Sequence, residues 1–182
     1  GMSRLGFYYQ DISRDEATVQ EVKAACQLPG LHPEGIFTHF AVSDEEDRES
    51  RAYTREQFDD ILDFETGGML EVWAQLLQHT GAEKYRTLLQ RYYRQRLFTP
   101  LLEGKDVLTN MHANTTIPEV LGCARAYEVT GEQRWRDIVE AYWKLAVDQR
   151  GQYATGGQTS GEIWSAPQAL GARLGDKNQE YC

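Results

Sequence analysis

Glu162 stands in a glycine-rich stretch, GQYATGGQTSGEIW, two residues before Trp164. A carboxyl held beside an apolar ring is suited to giving up and taking back a proton, so Glu162 is the candidate acid/base; an exposed loop glutamate is the alternative. Trp164 either offers its aromatic face to a sugar ring or belongs to the core. At the far end of the chain Glu180 and Cys182, two positions apart, bring a carboxylate oxygen and a thiolate, both of which zinc accepts. Two donors do not complete a tetrahedral site, and no further donors with familiar spacing stand out. His112 and Asn114 fall in GKDVLTNMHANTTIP, ahead of an apolar periodic run. Asn114 or Thr115 could cap a helix that has Pro118 near its start, and His112 is either a functional side chain or a satisfied loop histidine. With Tyr153, these residues and Trp164 form the candidate substrate-binding set. Glu65-Thr66-Gly67-Gly68 opens a further helix, where it either presents backbone N–H groups and a carboxylate at a rim or simply caps. His32 and His39 have no metal-like spacing, and His79 suits the last turn of a helix.

The elements that must position these residues are helical. Residues 1–62 read as an N-terminal segment of short helices and loops. In it, DISRDEATVQEVKAACQL forms a helix that Asp11 or Ser13 could cap and that Pro29–Gly30 stops. The charge run from Asp44 to Arg51 reads as loop and solvated face. A helix is predicted from Thr54, which stands three residues before Gln57 in a capping pattern. MLEVWAQLLQHTG then places Leu70, Trp73, Leu76 and Leu77 on one stripe and closes on Gly81. AEKYRTLLQRYYRQRLF reads as one helix following at once. The unit recurs in IPEVLGCARAYEVTG, closing on Gly131, and in EQRWRDIVEAYWKLAV. Tyr85 answers to Trp135, Arg86 to Arg136, Tyr92 to Tyr142 and Tyr93 to Trp143, each pair fifty positions apart. A period near fifty, made of two helices joined at a Thr-Gly turn, predicts stacked helical hairpins in an open solenoid or a closed toroid. The polar stretches between and after the hairpins hold the candidate site, as loops on a rigid scaffold commonly do.

The chain has 182 residues, enough for one domain with a substantial core. Its 28 acidic residues outnumber 19 basic ones, for a net charge of −9, which sets it against phosphate backbones and makes nucleic acid a poor partner. There is no apolar run long enough to span a bilayer and no secretory signal pattern, so membrane association is not expected and a cytoplasmic location is. Three widely spaced cysteines, Cys26, Cys123 and Cys182, do not form a disulfide framework. Gly1 before Met2 reads as a residue left by tag cleavage and is set aside.

Taken in order, ETGGMLEV, HANTTIPEVLGCARAYEVTG, YATGG, Gly161-Glu162 and Glu180-Tyr181-Cys182 resemble the signatures of glycoside hydrolase family 127, the β-L-arabinofuranosidase-like family. The resemblance covers about residues 63–182; residues 1–62 carry no comparable motif. It implies an all-α fold of helical hairpin repeats forming part of an (α/α)6 toroid. It further implies retaining hydrolysis of terminal L-arabinofuranosides or related sugars by a zinc-bound cysteine and a glutamate acid/base. By motif position Glu162 matches the acid/base, Glu180 and Cys182 two zinc ligands, and His112 a sugar contact. The family's Glu-Thr-Cys is Glu-Tyr-Cys here. Its nucleophile and remaining cysteine ligand lie downstream of the motif matched by Cys182, and six hairpins need roughly 300 residues. The chain is therefore expected to supply part of a toroid, completed by a homo-oligomer or by the remainder of a longer chain, because an open half exposes apolar edges. The rival expectation is a non-catalytic helical scaffold or carbohydrate-binding module. A toroid epimerase would rely on paired histidines, and only His112 falls in the candidate site.

Overall fold

The computed structural model describes residues 16–32, 46–63, 66–151 and 156–169. Asp11, Ser13, His39, Glu65, Tyr153, Glu180 and Cys182 lie outside the described residues. The chain divides into two compact units, Gly1–Asp60 and Ile61–Cys182.

In the first unit, helix α1 (Glu16–Cys26) follows the expected run and buries none of its side chains. Gly30, at φ 85°, turns the chain after it. Helix α2 (Arg48–Ile61) begins six residues before the expected Thr54. The reason is Asp47, whose carboxylate accepts the Ser50 N–H at 2.9 Å and so takes the capping role assigned to Thr54. Bonds from Ser50 also hold the Asp47 carboxyl below its usual range. The charged residues 48–51, read as a loop and solvated face, form the exposed first turn of this helix.

The second unit is built on the repeat. Helix α3 (Met69–Thr80) leads to α4 (Glu83–Arg91), and α6 (Ala113–Thr130) leads to α7 (Gln133–Trp143). The two connections use the same bonds fifty residues apart. Gly81 and Gly131 take left-handed φ of 65° and 70°, and each donates its N–H to the carbonyl four residues back at 2.8 Å. Thr80 and Thr130 each accept the N–H two residues on, from Ala82 and Glu132, at 3.2 Å. The hairpin turn is thus a local device written twice.

Between the repeats the expected single helix over AEKYRTLLQRYYRQRLF is corrected. It breaks at Tyr92–Arg94 and resumes as α5 (Gln95–Leu102). Arg94 adopts an extended conformation, φ −71° and ψ 97°, and turns its guanidinium into the protein. Its counterpart fifty positions on, Lys144, stays exposed and helical, and the chain runs through a π-helical turn, Lys144–Asp148.

Helix α3 packs on α6, and α5 packs on α7. Gly122 permits the first contact: a Cβ there would lie 2.6 Å from the Leu70 Cβ and 2.8 Å from the Glu71 amide nitrogen. The core gathers Leu70, Ala74 and Leu77 of α3, Leu97, Phe98 and Leu101 of α5, Cys123 and Ala126 of α6, and Trp135, Ile138 and Tyr142 of α7. Ala74 replaces Trp73 and Leu76 as the innermost member of the α3 stripe, because Trp73 lies at its edge against Tyr85 and Tyr92. One two-stranded ribbon, β1 (Thr159–Ser160) with β2 (Ile163–Trp164), completes the described residues. The fold is all-α, built of helical hairpin repeats. Among the described residues no helix is long and apolar enough to cross a membrane.

Candidate functional site

The ribbon brings the two stretches of candidate residues together. Gly161 and Glu162 form its two-residue turn, both left-handed at φ 59° and 68°, the arrangement that matches the twist of tight hairpins. A glutamate in that region costs about 1 kcal/mol or more, so its neighbours must hold it there. They do so through the backbone. The Ala113 N–H donates to the Glu162 carbonyl at 2.8 Å, the Trp164 N–H to Met111 at 2.9 Å, and the Asn110 N–H to Trp164 at 3.0 Å. His112 pairs with Ile163 as an antiparallel bridge, and α6 starts at the next residue.

This pairing sets side chains 50 positions apart against each other. His112 Nε2 lies 2.9 Å from Glu162 Oε2, and His112 Nδ1 lies 3.0 Å from Thr115 Oγ1. Both partners of the pair remain part-exposed, with 37% of the His112 and 40% of the Glu162 side chain open to solvent. A pocket of about 250 Å³ adjoins them, lined by Asp63, Arg94, Asn110, Met111, His112, Thr115 and Thr116. Its lining mixes donors and acceptors and has one apolar side chain, a character that suits a hydroxyl-rich ligand better than a hydrophobic one.

Behind the pocket lies a buried ionic cluster that spacing did not reveal. Arg94 donates from Nε to Asp63 Oδ1 at 2.9 Å, from Nη1 to Glu119 Oε2 at 3.1 Å and from Nη2 to the Asp63 carbonyl at 3.2 Å. Arg96 also pairs with Asp63. Thr66 Oγ1 donates to Glu119 Oε1 at 3.2 Å, which gives the Thr66 of the ETGG stretch a partner on α6. Burial pushes the Glu119 carboxyl up to about 7, and the Arg94 guanidinium and Thr66 hydroxyl only partly oppose this. The partners lie 25 to 53 positions apart. The one sequence signal is Glu119 itself, a carboxylate inside an otherwise apolar helical run.

A second buried arginine anchors the loops. Arg150, fully buried, donates from Nη2 to both Asp106 oxygens at 2.9 and 2.7 Å and to Thr109 Oγ1 at 2.9 Å. It also reaches the carbonyls of Ser165 at 2.7 Å and Leu145 at 2.8 Å. One guanidinium therefore ties the loop before His112 to the strand after Glu162.

The sugar-platform role considered for Trp164 is corrected. Its ring is 1% exposed, packed edge-on to Tyr142, with Nε1–H donating to Thr116 Oγ1 at 2.8 Å. It roots the ribbon in the core and has no free face. The capping role offered to Asn114 or Thr115 is corrected as well: His112 occupies the N-cap position without a side-chain cap bond, and Thr115 turns its hydroxyl to the His112 ring. Asn114 is exposed in the first turn. Tyr153, Glu180 and Cys182 lie outside the described residues, so the structure brings together His112 and Glu162 of the candidate set. Burial raises the Cys123 thiol well above its usual range, and it is a core residue.

An all-α unit of repeated hairpins, with a histidine–glutamate pair beside a polar pocket where two loops meet, is the class these observations define. Residues 46–182 match the family described as β-L-arabinofuranosidase, GH127 catalytic domain, and the chain belongs to that glycoside hydrolase family. Residues 1–72 match a second family, the alanine racemase N-terminal domain, which corrects the reading of residues 1–62 as a segment without a known counterpart. Over 58 residues the chain is 48% identical to the alanine racemase of Desulforamulus reducens, covering 32% of this chain and 14% of that protein. It is 43% identical over 63 residues to alanine racemase 2 of Caldanaerobacter subterraneus subsp. tengcongensis, covering 35% and 14%. The chain thus spans about 14% of the length of these curated relatives.

Proposed function

We propose that residues 61–182 carry the acid/base half of a retaining glycosidase acting on terminal L-arabinofuranosides or related sugars. The observation that carries this reading is the contact of Glu162 with His112 at the mouth of the polar pocket. Glu162 would protonate the glycosidic oxygen as the bond to the leaving group breaks, and in the second half-reaction take a proton from the incoming water. His112 would hold the carboxyl in position through Nε2. Asp63, Arg94 and Asn110, which line the pocket, would hydrogen-bond sugar hydroxyls. Zinc is proposed at Glu180 and Cys182 on their motif alone; bound there, it would hold a thiol as thiolate near neutral pH. The partner that completes the site would be a second copy or the remainder of a longer chain. The likeness to alanine racemases, confined to a small share of those enzymes, brings no racemase activity into the proposal.

The test is hydrolysis of methyl β-L-arabinofuranoside by the purified chain with and without added zinc, with metal content and mass measured on the same sample. Glu162→Gln should abolish turnover and leave folding intact, since Gln fits the same turn; unchanged turnover removes Glu162 from the mechanism. The polar pocket lies wholly within one unit, which supports a second reading as a carbohydrate-binding scaffold. Saturable binding of the arabinofuranoside without hydrolysis would favour it.

A further inference from the structure

A glutamate that works as an acid and then as a base presents opposite faces to its neighbour. Ionised, it only accepts hydrogen bonds; protonated, it also donates one. Its partner here is His112 Nε2 at 2.9 Å, and a neutral imidazole has one donor and one acceptor nitrogen. If Nε2 carries the hydrogen, the ring donates to the Glu162 carboxylate and Nδ1 must accept. If Nε2 is bare, it accepts from the Glu162 carboxyl and Nδ1–H must donate. Each state of Glu162 therefore demands a different tautomer, and each tautomer demands a different partner at Nδ1.

That partner is Thr115 Oγ1, 3.0 Å away. A hydroxyl both donates and accepts, and its hydrogen rotates to suit. A carbonyl or carboxylate in its place would hold Nδ1–H permanently, and a backbone amide would forbid it. Thr115 is 6% exposed, so water does not substitute freely for it, and its place one turn into α6 fixes the hydroxyl relative to the ring. The backbone bridge between His112 and Ile163 holds the other end of the histidine, leaving the ring's hydrogens as the adjustable element.

We propose that Thr115 is a positioning residue that acts through His112: its reversible hydroxyl lets the imidazole change tautomer as the Glu162 proton comes and goes. No atom is lost or gained in the exchange. In one state the hydrogens lie on Thr115 Oγ1, pointing to Nδ1, and on Nε2, pointing to Glu162. In the other they lie on Nδ1, pointing to Thr115, and on Glu162, pointing to Nε2. The proton that Glu162 delivers is the only one to leave, and the neighbouring pair re-forms its two bonds each time.

The role of this pair in turnover rests on the glycosidase reading, but its test does not. Nitrogen-15 NMR of the His112 ring in the full chain distinguishes Nδ1–H, Nε2–H and mixed forms directly. Across a pH series the unaltered chain should show one well-defined tautomer at each end of the Glu162 titration, with the assignment reversed between them. Thr115→Val, which keeps the shape and removes the hydroxyl, should give a mixed tautomer that does not reverse. Thr115→Ser should restore the reversal. Far-ultraviolet circular dichroism of both variants keeps a folding defect from being read as a tautomer effect, and a Val variant that unfolds is replaced by Thr115→Ala. If Thr115→Val or Thr115→Ala leaves the His112 nitrogen pattern unchanged, or Thr115→Ser fails to restore it, the proposal is wrong. A chain that behaves as expected here and hydrolyses no arabinofuranoside keeps this inference and discards the reading of function.

Discussion

Replacing Glu119 by glutamine should make the protein more stable at alkaline pH and leave it almost unchanged at acid pH. The argument starts from the Glu119 carboxyl, 4% exposed between Arg94 and Thr66, which burial raises from 4.5 to about 7. Its folded-state value lies above its unfolded one, so the stability it contributes is full below about 4.5 and is lost as the pH rises through 7. At about 1.4 kcal/mol per unit, the span corresponds to about 3 kcal/mol between pH 4.5 and 8. Glutamine keeps a carbonyl oxygen for Thr66 and Arg94 and does not ionise, while Arg94 retains both of its bonds to Asp63. The variant should therefore track the parent near pH 5 and exceed it by up to about 3 kcal/mol at pH 8. For a chain of this size that is about 6–12 °C in melting temperature. Thermal melts of both proteins at pH 5, 6, 7 and 8, followed by circular dichroism, isolate this group, because every other titrating residue is common to the two. A stability difference that stays constant across the series would refute the burial argument and leave Glu119 an ordinary ionised partner of Arg94.

Gly122→Ala should destabilise the second unit by about 1–2 kcal/mol, read as a lower urea midpoint, since a methyl 2.6 Å from Leu70 Cβ overpacks the α3–α6 contact by more than the helix-propensity gain of about 1 kcal/mol; a higher midpoint would mean the helices part freely. Arg150→Met should cost about 3–5 kcal/mol, because it leaves the Asp106 carboxylate and two carbonyls without their buried partner. Its melting temperature, with amide exchange at Asn110 and Trp164, would reveal whether the ribbon loosens together with the loop. Equal protection in parent and variant would deny Arg150 that role.

What was legible in the sequence divides by range. The two Thr-Gly turns were readable because every bond they make falls within four or five residues, so local chemistry dictates them twice over. His112 and Glu162 were nameable through ordered motifs, although only the fold brings the two side chains within 2.9 Å. Arg94 was invisible in the periodic pattern. RYYRQRLF continues a helical stripe, yet the reward of pairing a buried arginine with Asp63 and Glu119, 31 and 25 residues distant, breaks the helix there. Trp164 shows the reverse limit. An aromatic in a glycine-rich loop offered itself equally as a platform or as core, and the hydroxyl of Thr116 in α6 decides for the core.

The pairing of residues 110–113 with 162–164 relies on peptide groups alone. Main-chain bonding is indifferent to side-chain identity, so the outward member of the ribbon, Ile163 at 41% exposure, can drift during evolution without shifting the carboxyl beside it. Length is another matter. One residue inserted or deleted between Gly161 and Trp164 would reverse the alternation of the strand, sending the indole outward. The ribbon is thus tolerant of spelling and intolerant of counting.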